Sequence, residues 1–321
     1  MKNNSQLDSS NSECRVLERN LKRTRLRATL LPICFATALV AVFPALSIAQ
    51  KATSARPPQQ HLSTSLKEQV FHSNSLQKEM RYRILLPTGY AKSEKRYPTL
   101  YLLHGLYGDY RNWSTLTNLV GWAEGLQLII AMPDAGNSWY VNSATESTDK
   151  YEDYIVQDFV AEVDSHFRTI ADRHARAIAG LSMGGYAALN LSMKHLSLFS
   201  YAGGISAALN APSNLDEKQQ EFRDGLQRVF GSHGNANRSE NDVFSDVTRA
   251  GNLGSLQIYL DCGEDDIFLE VNRELATRLK QRKAAYEYHE MPGGHTWEYW
   301  DAAIPRFLDF LCRKRFVVSR S

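Results

Sequence analysis

The chain has 321 residues, 43% of them hydrophobic, enough for one large domain with a sizeable core. Its formal net charge is +2, but residues 1–49 hold a surplus of four positive charges, which leaves the remainder at about −2. That balance excludes a nucleic-acid partner recruited by a basic domain surface.

In chain order, the first element is a leader. Lys22, Arg23, Arg25 and Arg27 precede Ala28–Ile48, an uncharged, mostly apolar stretch that ends in Ser47-Ile48-Ala49. This pattern predicts a signal peptide over 1–49, cleaved before Gln50, and a domain outside the cytoplasm, periplasmic or secreted. The alternative is an uncleaved N-terminal anchor, the one case in which the chain meets a membrane. Residues 50–60, with Pro57-Pro58, read as a linker. A domain over 61–315 and a tail over 316–321 follow.

Within the domain, apolar strands alternate with amphipathic helices, which predicts an α/β fold with a mostly parallel sheet covered on both faces. An antiparallel pair opens it at Ser63–Ser73 and Glu79–Pro87, closed at Asn74 and Ser75. Strands follow at Thr99–Leu103, Leu126–Met132, Ala175–Leu181, Tyr201–Ile205, Leu256–Asp261 and Ala284–Glu290. Helices are predicted at Tyr151–Phe167, Gly184–His195, Phe268–Gln281 and Trp297–Cys312. The polar stretch Asn210–Asn252 shows only weak helical patches and reads either as a cover over a site or as a surface excursion. Cys262 and Cys312 read as two separate buried thiols, although export permits a disulfide between them.

The sharpest local pattern is Gly180-Leu181-Ser182-Met183-Gly184-Gly185, between a predicted strand and a predicted helix. A serine on such a turn projects its hydroxyl above the carboxyl edge of the sheet, and flanking glycines let neighbouring backbone approach. A hydroxyl attacks only when a base removes its proton. His295, in the glycine-rich loop Met291–His295 after the last strand, reaches the same edge; His289, within that strand, is the runner-up. The orienting acid must come from Asp261, Glu264, Asp265 or Asp266 after the penultimate strand, and spacing leaves all four open. The chain order serine, acid, histidine is that of α/β-hydrolases. Backbone N–H groups of Met183 and Leu106 are the candidate oxyanion donors, with His104 a brace for the loop within Leu102–Gly108. Trp139, Tyr140 and Trp297 are candidate pocket walls. No cluster has metal-ligand spacing, and this chemistry calls for no cofactor.

Tyr101–Leu106, Met132-Pro133-Asp134, Ala179–Gly185, Asp261–Asp266 and Gly294–Trp297 together resemble the esterase D, or "putative esterase", family of α/β-hydrolases, over about Leu66 to Leu311. Its members include tributyrin esterases, S-formylglutathione hydrolases, feruloyl and acetylxylan esterases and mycolyltransferases. The resemblance implies Ser182 as nucleophile, His295 as base, Asp266 as the acid, and Leu106 and Met183 as oxyanion donors. Gly136–Tyr140 is most similar to the tributyrin-esterase branch, while Ala135 stands where many members have glycine. The implied function is hydrolysis of short-chain acyl, feruloyl or acetyl esters, small or linked to polysaccharide, through an acyl-enzyme. The alternatives are an acyltransferase of mycolyltransferase type, an S-formylglutathione hydrolase-like thioesterase, and a non-catalytic binding module. Oligomeric state is left open.

Overall fold

A computed structural model describes residues 65–213 and 220–317. The leader and the linker lie outside the described residues. Eight strands form one sheet: β1 (Leu66–Ser73), β2 (Lys78–Leu85), β3 (Thr99–Leu103), β4 (Ile129–Pro133), β5 (Arg176–Leu181), β6 (Tyr201–Ile205), β7 (Gln257–Gly263) and β8 (Ala285–Met291). Their spatial order is β1-β2-β4-β3-β5-β6-β7-β8. β1 pairs antiparallel with β2, and β2 antiparallel with β4; from β4 to β8 every neighbouring pair is parallel. This is the α/β-hydrolase architecture.

Residue type explains which strands are central. Every residue of β3, β4 and β5 is buried, as expected of short apolar strands covered on both faces. β1 and β8, at the two edges, expose part of nearly every residue. Parallel strands send all their carboxyl ends to one edge. The chain steps from β3 to β4 in one direction, then winds from β5 to β8 in the other. Such a reversal opens a crevice beyond the carboxyl ends of the two strands flanking it, here β3 and β5.

The helices are α1 (Asn112–Leu116), α2 (Leu119–Trp122), α3 (Val160–His166), α4 (Met183–Lys194), α5 (Gln220–Phe230), α6 (Ala236–Glu240), α7 (Val243–Arg249), α8 (Leu269–Gln281) and α9 (Trp297–Arg313). The run predicted as one helix over 151–167 is helical but not uniform: a wide π segment, Tyr154–Phe159, leads into α3. It buries Tyr154, Ile155 and Phe159. The short α1 and α2 were not anticipated from periodicity. α4 is buried along almost its whole length and lies against β5 and β6.

Of the polar stretch 210–252, the described residues 220–252 hold α5, α6 and α7. α5 presents a narrow stripe, Leu226, Val229 and Phe230, to the core. Asp242 caps α7 by accepting from the N–H groups of Phe244 and Ser245, both at 3.2 Å. The Tyr186 hydroxyl of α4 donates to the Asn241 carbonyl at 2.6 Å, tying this stretch to the body. At the carboxyl end, the boundary expected at residue 315 runs on. Phe316 and Val317 are buried, and Phe316 packs on Tyr201 with ring centroids 4.7 Å apart.

Candidate active site

Ser182 ends β5 and begins α4 with φ 52° and ψ −118°, a strained backbone that a non-glycine residue holds only when its surroundings enforce it. They do. The Ser182 N–H donates to the Ile205 carbonyl at 2.9 Å, and the Ser182 carbonyl accepts from Tyr186 N–H at 2.9 Å and Ala208 N–H at 3.1 Å. The β3 loop presses against the first turn of α4: a Cβ on Gly184 would lie 2.5 Å from the His104 carbonyl oxygen, so only glycine fits.

His295 Nε2 lies 2.9 Å from Ser182 Oγ. His295 Nδ1 lies 3.0 and 3.2 Å from the two carboxylate oxygens of Asp266. An ionised carboxylate only accepts, so Nδ1 carries the proton and Nε2 is left to accept from the serine hydroxyl. Asp266 also accepts from Phe268 N–H at 2.9 Å. Burial pushes the Asp266 carboxyl up, but the hydrogen bonds from His295 and Phe268 outweigh it and hold the group below its ordinary value. The carboxylate is therefore charged at neutral pH.

The other acids left open by spacing are placed elsewhere. Glu264 and Asp265 are exposed. Asp261 is fully buried and saturated: it accepts from Tyr259 Oη at 2.7 Å, Arg306 Nε at 2.8 Å, Arg306 Nη2 at 2.9 Å and Tyr299 Oη. The acid and base loops are joined through backbone, Glu264 N–H to Met291 O and Asp265 N–H to Gly293 O, both at 2.9 Å. A Cβ on Gly263 would sit 2.1 Å from the Gly293 carbonyl oxygen, which demands glycine there. His289 stays within β8 with its ring on Tyr259, centroids 5.1 Å apart.

On the other side of Ser182, Leu106 follows β3 and lines the cavity beside the serine. Met183 opens α4, where first-turn N–H groups have no partner within the helix. His104 is buried; its Nε2 accepts from Ala135 N–H at 3.1 Å, and its protonated Nδ1 donates to the Gly105 carbonyl at 2.8 Å. With both ring nitrogens so engaged, it braces the loop.

Above Ser182 opens a cavity of about 710 Å³ with two aromatic walls. One wall holds Phe268 and Trp300, whose ring centroids lie 5.1 and 4.9 Å from that of His295, together with Trp297 against Trp300 at 4.9 Å. The other holds Trp139 and Phe222, 6.3 Å apart. Tyr140 does not line the cavity. Consecutive left-handed residues, Trp139 at φ 57° and Tyr140 at φ 58°, turn Tyr140 inward, where its hydroxyl accepts from His104 N–H at 3.0 Å. Tyr140 is thus a brace, contrary to the expectation from its aromatic neighbours. Phe222, Ile267, Phe268 and Trp300 also line the cavity and were missed. Trp300 was within reach of sequence reasoning, three residues after Trp297 on the same helix. Phe222 sits in the polar stretch and gave no signal. Cys262 and Cys312 are separate buried thiols, and burial raises the Cys262 thiol to about 12.

The fold and the arrangement of serine, imidazole and carboxylate are those of a serine hydrolase, and its relatives make it one that acts on ester bonds. Residues 73–311 match the family described as "Putative esterase", and the chain belongs to it. It is 28% identical over 260 residues to an acetyl esterase of Caldicellulosiruptor saccharolyticus, covering 76% of this chain and 96% of that protein. A solved ferulic acid esterase is 28% identical with a TM-score of 0.67, covering 77% of this chain and 98% of its own. A fluorophosphonate-binding serine hydrolase of Staphylococcus aureus, solved with substrate, is 25% identical with a TM-score of 0.70 over the same shares.

Proposed function

We propose that this esterase works through an acyl-enzyme on Ser182, with His295 as base and Asp266 as the acid that orients it. The carrying observation is the unbroken line of hydrogen bonds from Asp266 through His295 to Ser182 at the rim of the cavity. Neutral His295 takes the hydroxyl proton as Ser182 Oγ attacks the ester carbonyl. Charge gathers on the carbonyl oxygen, where the N–H groups of Leu106 and Met183 serve as donors; one such donor is worth roughly a hundred- to a thousand-fold in rate. His295, now cationic beside the charged Asp266, protonates the departing alcohol. It then activates water to free the acid.

The substrates are carboxylic esters with short acyl, acetyl or feruloyl groups, on small molecules or on polysaccharide. The acetyl and ferulic acid esterases among the relatives and the aromatic walls of the cavity support this reading. The basic, then apolar leader supports export of the domain. The test is a p-nitrophenyl ester series beside methyl ferulate and acetylated xylan, each with wild type and Ser182→Ala. Turnover of at least one class by wild type, with loss on Ser182→Ala, is expected. Undiminished turnover by Ser182→Ala removes the serine from its role. N-terminal sequencing of exported protein tests the leader: a start at Gln50 is expected, and a start at Met1 overturns cleavage.

A further inference from the structure

The cavity above Ser182 has a neighbour. A second cavity of about 210 Å³ is lined by four residues that also line the first: Leu106, Tyr107, Trp139 and Phe222. It continues past them to Asn137, Glu221, Gly225 and Arg228. The Arg228 guanidinium is already engaged, with the Asp149 carboxylate and, at 3.5 Å, the Asn137 carbonyl. The annex therefore has no free cation aimed at the substrate cavity from that residue.

Proton transfer decides which part of an ester faces the annex. The departing alcohol oxygen must meet His295 Nε2, and the rings packed on His295 are Phe268 and Trp300. The alcohol thus leaves along that wall, which assigns the acyl group to the remaining aromatic lining, Trp139 and Phe222. The two rings of that lining are held very differently. Trp139 is 4% exposed, sits at φ 57° and packs edge-to-face on Tyr186 at 5.7 Å, with Phe230 at 6.0 Å behind it. Phe222 is half-buried near the start of α5, against Trp139.

We infer that Phe222 sets the acyl length this esterase accepts: its ring, set against the fixed Trp139, partitions the substrate cavity from the annex, and removing it lets longer acyl chains through. The inference rests on the acyl-enzyme reading above, because only that reading assigns a side to the acyl group. Gly225, one turn further along α5, supplies the control. It lines the annex, and a Cβ built there meets nothing within 4 Å. A leucine at that position therefore starts from open space and is expected to occupy part of the annex.

The experiment compares wild type, Phe222→Ala, Gly225→Leu and the double variant on p-nitrophenyl esters from acetate to decanoate, after counting active sites with a fluorophosphonate. The readout is the ratio of kcat/KM for octanoate to that for acetate. Phe222→Ala is expected to raise the ratio by about tenfold, in line with what a few added methylenes contribute to apolar discrimination. Gly225→Leu alone keeps the wild-type ratio, and the double variant returns to it. An unchanged ratio in titratable Phe222→Ala overturns the inference, and so does a gain that survives Gly225→Leu. Should Phe222→Ala not titrate, Phe222→Leu, which shortens the ring to an aliphatic, carries the same comparison. Failure of the acyl-enzyme reading would show separately, as wild-type protein that hydrolyses acetate without titrating.

Discussion

Asp261 and Asp266 stand five residues apart at the same rim of the sheet, and each is a buried carboxylate paired with a basic side chain. Their partners separate them. Arg306 is a permanent cation, and with Tyr259 and Tyr299 it fills the acceptor positions of Asp261, which leaves no imidazole among its partners. Asp266 faces an imidazole whose far nitrogen reaches a hydroxyl. Burial and ion pairing alone do not mark a catalytic acid. What marks it is an imidazole partner that can take up a hydroxyl proton, and a route from that partner to a nucleophile. Asp261 instead clamps α9, through Tyr299 and Arg306, against β7.

Substitution to asparagine should split the pair in opposite directions. The largest effect is expected of Asp266→Asn, a drop in kcat of about 10⁴-fold as the imidazole loses its tautomer and its counter-charge, with the fold intact by thermal melting. A drop below tenfold would make the carboxylate dispensable. Asp261→Asn should do the reverse. It leaves the partly buried Arg306 without a charge partner and lowers unfolding free energy in urea by about 3 kcal/mol. Turnover per site counted by fluorophosphonate should stay within about fivefold of wild type. A large loss per site with unchanged stability would erase the distinction.

A third buried aspartate sharpens the comparison. Asp246 on α7 has one oxygen without a partner, and burial raises its carboxyl to about 6 against the pull of Arg249. Its folded value exceeds its unfolded one, so the native state binds the proton more tightly. Stability should rise as pH falls from above 6 toward 4 on this account. Asp246→Asn should therefore stabilise the protein by about 1–2 kcal/mol at pH 8, with the gain fading near pH 4. Urea titrations at the two pH values check this, and equal effects at both would contradict it. Asp266 has the opposite sign: its folded value is lowered, so its contribution is present above about 4 and lost as pH falls through the folded value. The smallest effect is expected of Tyr140→Phe, which removes the hydroxyl pinning His104 and costs about 1 kcal/mol. A kcat decrease of a few fold should accompany it if the β3 loop aims an oxyanion donor, and none if it does not.

Much of this was legible in the sequence because it is local. Thr99–Leu103 and Tyr201–Ile205 are short apolar runs with turns on either side, and they form strands with those same bounds. Ser182 and His295 stand in glycine-rich turns directly after strands, so the topology alone brings them to one edge. The acid was different. Choosing Asp266 over Asp261 from the residues alone would require knowing that Tyr259, Tyr299 and Arg306 converge on Asp261, a contact made across the tertiary structure. Tyr140 was misread because residue type cannot reveal two successive positive φ angles. The helices over 220–249 were hidden by composition: α5 buries three apolar side chains on a polar helix, too narrow a stripe to stand out.

The central claim is that Ser182 carries the acyl group between attack and release. Acid-quenching the enzyme during turnover of a p-nitrophenyl ester, followed by peptide mass spectrometry, tests it directly. The account predicts an acyl mass on the peptide containing Ser182, absent from Ser182→Ala. Continued hydrolysis by Ser182→Ala, or an acyl mass on another residue of the wild type, would contradict it.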